Sequence, residues 1–193
     1  MKTNQLIIAT ASILLIGWFL TGCQVVEPKS DQKTSKTVIE KFVMKAVAAK
    51  KEVKLVLKAD HQANQVNVTL TLENPNLKPI TSAQTWLSYN PLALKGASIN
   101  TKDSAFDLMA PYDNTFDENN GLVMVGRGST KPLTGKSIKV AELTFDVLGG
   151  GATMIDAYDY QENLSGHTSV NTVVNGEPFN ILLKPNSPAL IIE

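Results

Sequence analysis

The stretch Val66-Asn67-Val68-Thr69-Leu70-Thr71-Leu72 alternates apolar and polar residues without a break. At a side-chain period of two, Val66, Val68, Leu70 and Leu72 share one face, and Asn67, Thr69 and Thr71 share the other. A helix would scatter the four apolar chains around its circumference. The segment therefore buries its hydrophobic surface as a strand with one face in a core and the other in water. Such a strand needs partners, and the chain past Lys51 supplies them between turn residues. Val53–Leu57 is strand-like. Asn74-Pro75-Asn76 breaks the alternating strand, and a third runs from about Ser82 to Tyr89 and stops at Asn90-Pro91. Leu92–Ile99 reads as a short strand or bend, and Gly121–Gly126 as an apolar strand. Ile138–Leu148 alternates, with Ile138, Val140, Glu142 and Thr144 on one face. Lys139, Ala141, Leu143, Phe145 and Val147 form the other, more apolar face. Gly149-Gly150-Gly151 ends that strand, and Ala152–Tyr160 and Phe179–Leu183 follow. No long helical period appears after Ala49. Eight or so short strands at turn-punctuated intervals predict an all-β, two-sheet antiparallel sandwich.

The N-terminus is of a different kind. Lys2 precedes Leu6–Leu20, fifteen residues without a charge, and Leu20-Thr21-Gly22-Cys23 follows at once. The run suits the apolar core of a signal peptide and is short for a membrane span, which needs about 20 apolar residues. The ending resembles a bacterial lipobox, and the only cysteine of the chain stands at its last position. The resemblance implies removal of residues 1–22 and a diacylglyceryl group on Cys23, which holds the chain to a membrane outside the cytoplasm. The alternative is an uncleaved membrane helix with a free thiol. Gln24, next to the cysteine, is compatible with an outer-membrane or cell-surface address. Residues 23–51 read as a lipidated tether, and residues 52–193 as the body.

Charge divides along the same line. Gln24–Lys58 holds nine lysines and four acids, a net of +5. Ala59–Glu193 holds seven lysines and one arginine against fourteen acids, a net of −6. A basic stretch beside an acyl anchor can lie against anionic head groups, and it serves equally as a soluble spacer. Gln24–Lys36 has no apolar period. Ile39, Phe42, Val43, Ala46 and Val47 fit a helical stripe, giving a short helix over Val38–Ala49, although the β-branched valines also suit a strand. The charges of the whole chain balance at 18 of each sign, which argues against a nucleic-acid partner held by net basic charge. One cysteine excludes a disulfide framework and a multi-Cys zinc site, two histidines leave little material for a His-rich metal site, and no cofactor is expected.

The order of motifs over Val53–Glu193 resembles a cohesin domain and its structural relatives among cellulose-binding modules. An early alternating strand ends in Leu72-Glu73-Asn74. A later one leads into Leu87-Ser88-Tyr89-Asn90-Pro91, similar to the family's hydrophobic-x-Tyr-Asp-Pro turn, with Leu94 and Ile99 downstream. Asp117-Glu118-Asn119-Asn120-Gly121 precedes an apolar strand. Gly135 leads to Val140-Ala141-Glu142-Leu143-Thr144-Phe145-Asp146-Val147, and Asn175-Gly176 stands before the last strands. Asn90 replaces the usual aspartate, and Pro185–Glu193 is longer than the family pattern. The resemblance implies a jelly-roll sandwich and a dockerin-like protein partner. It also puts Leu87 inward, so Ala83, Thr85, Leu87 and Tyr89 face the core. Gln84, Trp86 and Ser88 then face outward on a strand of the partner-binding sheet. A large aromatic among polar neighbours suits an interface anchor, and a tryptophan covered by a loop, the N-terminal helix or the C-terminal segment suits the pattern equally.

The remaining chemistry is thin. Asp113, Thr115 and Asp117 place oxygens at alternate positions, as a weak calcium loop would, but Glu118 and Met124 stand where an EF-hand needs glycine and glutamate. A polar hairpin loop is the simpler reading. Ser165-Gly166-His167 lacks a nucleophile elbow. The carboxylate pairs Asp156 and Asp159, or Asp159 and Glu162, read as solvated surface acids rather than a glycosidase pair. Gly149–Gly151 is not followed by the residues of a phosphate loop. Tyr158 and Tyr160 share one strand face and could stack on a polysaccharide. The expectation is a lipid-anchored, extracytoplasmic, non-catalytic binding module for a protein partner. A carbohydrate-binding module and a structural envelope component are the alternatives.

Overall fold

A computed structural model describes residues 50–111, 113–149, 151–162 and 167–193. Cys23 and the helix expected over Val38–Ala49 lie outside the described residues. Within them the regular structure is all strand: β1 (Lys54–Gln62), β2 (Gln65–Glu73), β3 (Ile80–Tyr89), β4 (Leu94–Asn100), β5 (Leu108–Met109), β6 (Thr115–Asp117), β7 (Leu122–Leu133), β8 (Ser137–Val147), β9 (Thr153–Ala157), β10 (Thr168–Val174), β11 (Glu177–Asn180) and β12 (Leu190–Ile192). One sheet has the order β1-β2-β8-β4. The other has the order β11-β10-β3-β7-β5; β9 also pairs with β3, β12 with β9, and β6 with β7. The pairings between strands are antiparallel. The result is an all-β antiparallel sandwich of two sheets.

Period-two patterning explains the core. Val66, Val68, Leu70 and Leu72 of β2 are completely buried, as are Ala83, Leu87, Val123, Val125, Ile155 and Val170 from the opposing sheet. Each buried aliphatic side chain contributes about 1.5–3 kcal/mol through lost water contact, which must be set against chain entropy. Aromatic edges meet at one end: Phe145 lies edge-on to Tyr89, with ring centroids 5.1 Å apart, and to Phe116 at 5.4 Å.

Strict alternation along Ile138–Leu148 does not hold. The β2–β8 register slips between Leu70 and Thr71, so Leu70 faces Ala141 while Thr71 faces Lys139. Val140 is the extra residue of a bulge, which moves the inward phase from Ile138 to Ala141, Leu143 and Phe145. Val140 and Ala141 are therefore both buried. The strand expected over Ala152–Tyr160 also needs correction. It ends at Ala157, and Asp159 has a left-handed backbone (φ 48°), so Tyr158 and Tyr160 do not share a strand face.

The turn residues act as their chemistry predicts. Asn74, fully buried, accepts from the Lys78 N–H at 2.9 Å and donates to the Lys78 carbonyl at 2.8 Å, closing the loop that breaks β2 from β3. Asn90 accepts from the Leu92 N–H at 3.0 Å through its side-chain oxygen. The amide thus does what the usual aspartate would do at this turn. Asn175 and Gly176 both have positive φ (53° and 86°) between the paired residues Val174 and Glu177, the conformation of a two-residue hairpin turn. The long C-terminal segment supplies β12, which extends the larger sheet through β9.

Candidate functional site

The two outward faces differ in chemistry. On the smaller sheet, Asn67, Thr69 and Thr71 lie beside Thr144, Glu142 and Lys139. Their polar groups pair with one another: Thr144 Oγ1 donates to Asn67 Oδ1 at 2.9 Å, and Lys139 Nζ stands 2.9 Å from Glu142 Oε2. The larger sheet instead carries aromatic and apolar groups around its central strand, β3. That strand holds no charged residue. Ala83, Thr85, Leu87 and Tyr89 point into the core, leaving Gln84, Trp86 and Ser88 on the outer row, half-buried.

Trp86 is neither free nor hidden. The His167 ring lies 4.2 Å from the Trp86 ring, centroid to centroid, tilted by 30°. The Tyr158 ring lies 6.4 Å away at an interplanar angle of 20°. Backbone bonds fix this trio. Tyr158 N–H donates to the Trp86 carbonyl at 2.8 Å, Trp86 N–H to the His167 carbonyl at 3.2 Å, and Thr168 Oγ1 to the Trp86 carbonyl at 2.7 Å. His167 Nδ1 lies 2.5 Å from Asp159 Oδ2. Hydrogen bonds from Gln161 and His167 hold the Asp159 carboxyl below the usual carboxylate range.

Asp113 closes the other side of Trp86. Its carboxylate rests on Gly126 of β7, where an added Cβ would meet Asp113 Oδ2 at 1.8 Å. Burial pushes the Asp113 carboxyl above the usual carboxylate range, and the Trp86 indole and His167 offset this only in part. The indole N–H is buried without a hydrogen bond of ordinary geometry. Its effect on Asp113 is that of a nearby dipole rather than of a formed bond. The Asn114 side-chain amide is also buried without a partner. Beyond Asp113 lies a concavity of about 380 Å³ lined by Ser82, Gln84, Leu108, Met109, Ala110, Arg127, Gly128 and Asn171. Leu108 and Met109 are exposed beside it, and the buried Arg127 donates to the Phe106 carbonyl at 2.6 Å.

The other sequence candidates are dispersed. Tyr160 is half-buried and lies apart from the trio: its hydroxyl donates to the Leu182 carbonyl at 3.1 Å and accepts from Lys51 Nζ at 3.0 Å. Of the calcium candidates, Asp117 accepts from the Asn120 backbone at 3.2 Å and the Asn120 amide at 2.7 Å, capping the β6–β7 hairpin. Those bonds lower its carboxyl's pKa. Asp113 faces Trp86, and Thr115 is exposed with its hydroxyl on the Phe116 carbonyl. Among the described residues no three His, Cys, Asp or Glu side chains group as a metal site. Sequence reasoning missed Leu108 and Met109, because a two-residue strand shows no period. It also missed the joining of His167 and Asp159 to Trp86. That depends on a loop bringing residues 158 and 167 back beside position 86, which no local pattern records.

A two-sheet antiparallel sandwich with one solvated polar face and one aromatic, apolar face has the architecture of a jelly-roll module. The chain belongs to the cohesin domain family, whose model matches residues 52–180. No curated protein matches the chain. Among solved structures, the seventh ScaB type I cohesin from Pseudobacteroides cellulosolvens is 14% identical over 68% of this chain and 84% of that one, with a TM-score of 0.48. The second type II cohesin module of the ScaA scaffoldin of Acetivibrio cellulolyticus is 15% identical over 72% and 95%, with a TM-score of 0.46. A type I cohesin–dockerin complex from Clostridium thermocellum gives 11% identity over 55% and 82%, with a TM-score of 0.42.

Proposed function

We propose that this protein is a lipid-anchored, extracytoplasmic docking module without catalytic activity. The outward face of β3 takes a dockerin-like protein partner. Membership of the cohesin family supports a protein-binding role. The observation that carries the choice of face is Trp86, a half-buried aromatic on the uncharged central strand of the larger sheet, flanked by Gln84 and Ser88. Such a group gives an interface a large apolar anchor, with a polar rim to exclude water. The lipobox ending at Cys23 supports anchoring by a diacylglyceryl group, with residues 24–51 as the reach between membrane and body.

The test is capture by immobilised dockerin modules. Trp86→Ala is expected to weaken retention at least roughly ten-fold, as for a central hot spot, with an unchanged circular-dichroism spectrum. Equal retention of wild type and variant removes Trp86 from the interface. A glycan reading is favoured by one observation only: Tyr158 is exposed and lies nearly parallel to Trp86. Affinity electrophoresis on polysaccharide gels separates it from protein docking.

A further inference from the structure

The larger sheet is uneven in charge as well as in polarity. Its strands β3, β5, β6, β9, β10, β11 and β12 contain no lysine or arginine. Only β7 contributes cations: Arg127, buried against the Phe106 carbonyl, and Lys131 near the strand's end. Carboxylates surround the aromatic trio. Asp113 lies against Gly126 on one side, and Asp159 is joined to His167 on another. Asp156 of β9 stands in register with Ser88, the outer-row neighbour of Trp86. Asp156 accepts from the Ala189 N–H at 3.1 Å and from Ser187 Oγ at 3.4 Å. The lysine ion pairs among the described residues lie elsewhere, at Glu52, Asp103 and Glu142. Among the described residues, Asp113 and Asp156 therefore form no ion pair with a lysine or arginine.

We propose that Trp86 and Tyr158, with Asp113 beside them, form a receptor for an arginine side chain presented by the docking partner. The inference rests on the docking reading above for the identity of the ligand as a protein side chain. A planar guanidinium stacks on exposed ring faces and donates to carboxylates in the same plane, where an ammonium acts only as a point charge. Half-burial of the Trp86 ring strengthens the attraction there by thinning the water around the cation.

The test uses the full chain in detergent with Trp18→Phe, so that Trp86 supplies the only indole N–H signal. N-acetyl-arginine amide is titrated against N-acetyl-citrulline amide, which has the same shape without the charge. The arginine amide is expected to shift the indole signal saturably, with citrulline at least roughly three-fold weaker. The Asp113→Asn variant loses at least roughly three-fold of the arginine affinity, the scale of one partly exposed cation–π or ion-pair contact. Equal responses to the two amides, or an unchanged arginine affinity in the Asp113→Asn variant, overturn the receptor. The two readings separate cleanly. If Trp86→Ala abolishes dockerin capture while the amides behave alike, docking stands and the receptor falls. If arginine titrates as expected while dockerin capture ignores Trp86→Ala, the receptor stands as a site for a basic group and the docking assignment falls.

Discussion

Asp113 shows what a single residue on the β3 face costs. A carboxyl whose pKa is raised in the folded state holds its proton more tightly there than in the unfolded chain. Its charged form therefore destabilises the fold at neutral pH. That cost disappears as pH falls through the raised value towards the ordinary 3.8. Asp107, Asp117 and Asp159 act in the opposite sense, since hydrogen bonds hold their pKa values low. Their contribution is present above the ordinary carboxylate value and is lost as pH falls through the lowered one. Asp113→Asn keeps the shape, and its side-chain oxygen can still face the Trp86 indole. The variant is expected to melt higher than wild type at pH 7, with the difference closing below about pH 4. A variant that melts lower at pH 7 contradicts this account of Asp113. A residue that weakens the fold where it stands suits a binding role better than a structural one.

At the scale of elements, the strands that were legible in the sequence are those whose packing obeys one rule along their whole length. β2 is the clearest case, because four residues at a period of two are all buried and their neighbours are not. In β3 the period of two gives the two rows and the family resemblance says which faces inward, and both fall as expected. The sequence is less explicit where a second constraint intervenes. The bulge at Val140 places two consecutive residues of β8 in the core, and no alternation can announce that. Five of the seven residues of β10 are Thr or Val, yet the first five in a row are buried because β3 and β11 flank it, so its pattern lacks a solvated face. Close approach leaves a plainer trace. Gly96 of β4 lies under Phe116, where a Cβ would come within 2.2 Å of the ring. Gly96→Val should drive Phe116 out of its edge contacts with Tyr89 and Phe145 and cost about 1–3 kcal/mol in urea unfolding. An unchanged midpoint would mean that the Phe116 ring is not held there.

For the whole molecule, the account joins an anchor, a tether and a two-faced sandwich. The proposed anchor rests on three unlike signals that converge on Cys23: a basic start, an apolar run and a small residue before the only cysteine. Expressed in a bacterial host, the mature chain should begin at Cys23 and carry a mass excess of two or more acyl chains. Cys23→Ser should leave the membrane fraction. An intact precursor with a free thiol would replace the anchor by a membrane helix. The site was readable only in part. Trp86 stood out as the one tryptophan of the body, but its partners Tyr158, His167 and Asp113 come from distant loops brought together by β3 at the centre of the sheet.

The central claim is that one face of the sandwich docks a partner and the other does not. Paired substitutions test it directly: Gln84→Arg on the outer row of β3 and Thr69→Arg on the outer row of β2, each measured for dockerin affinity by calorimetry after circular dichroism shows the fold intact. The account predicts a loss of at least roughly ten-fold for Gln84→Arg, where bulk and positive charge enter the docking face, and no change for Thr69→Arg. Undiminished binding by the Gln84 variant, or a loss confined to the Thr69 variant, contradicts it.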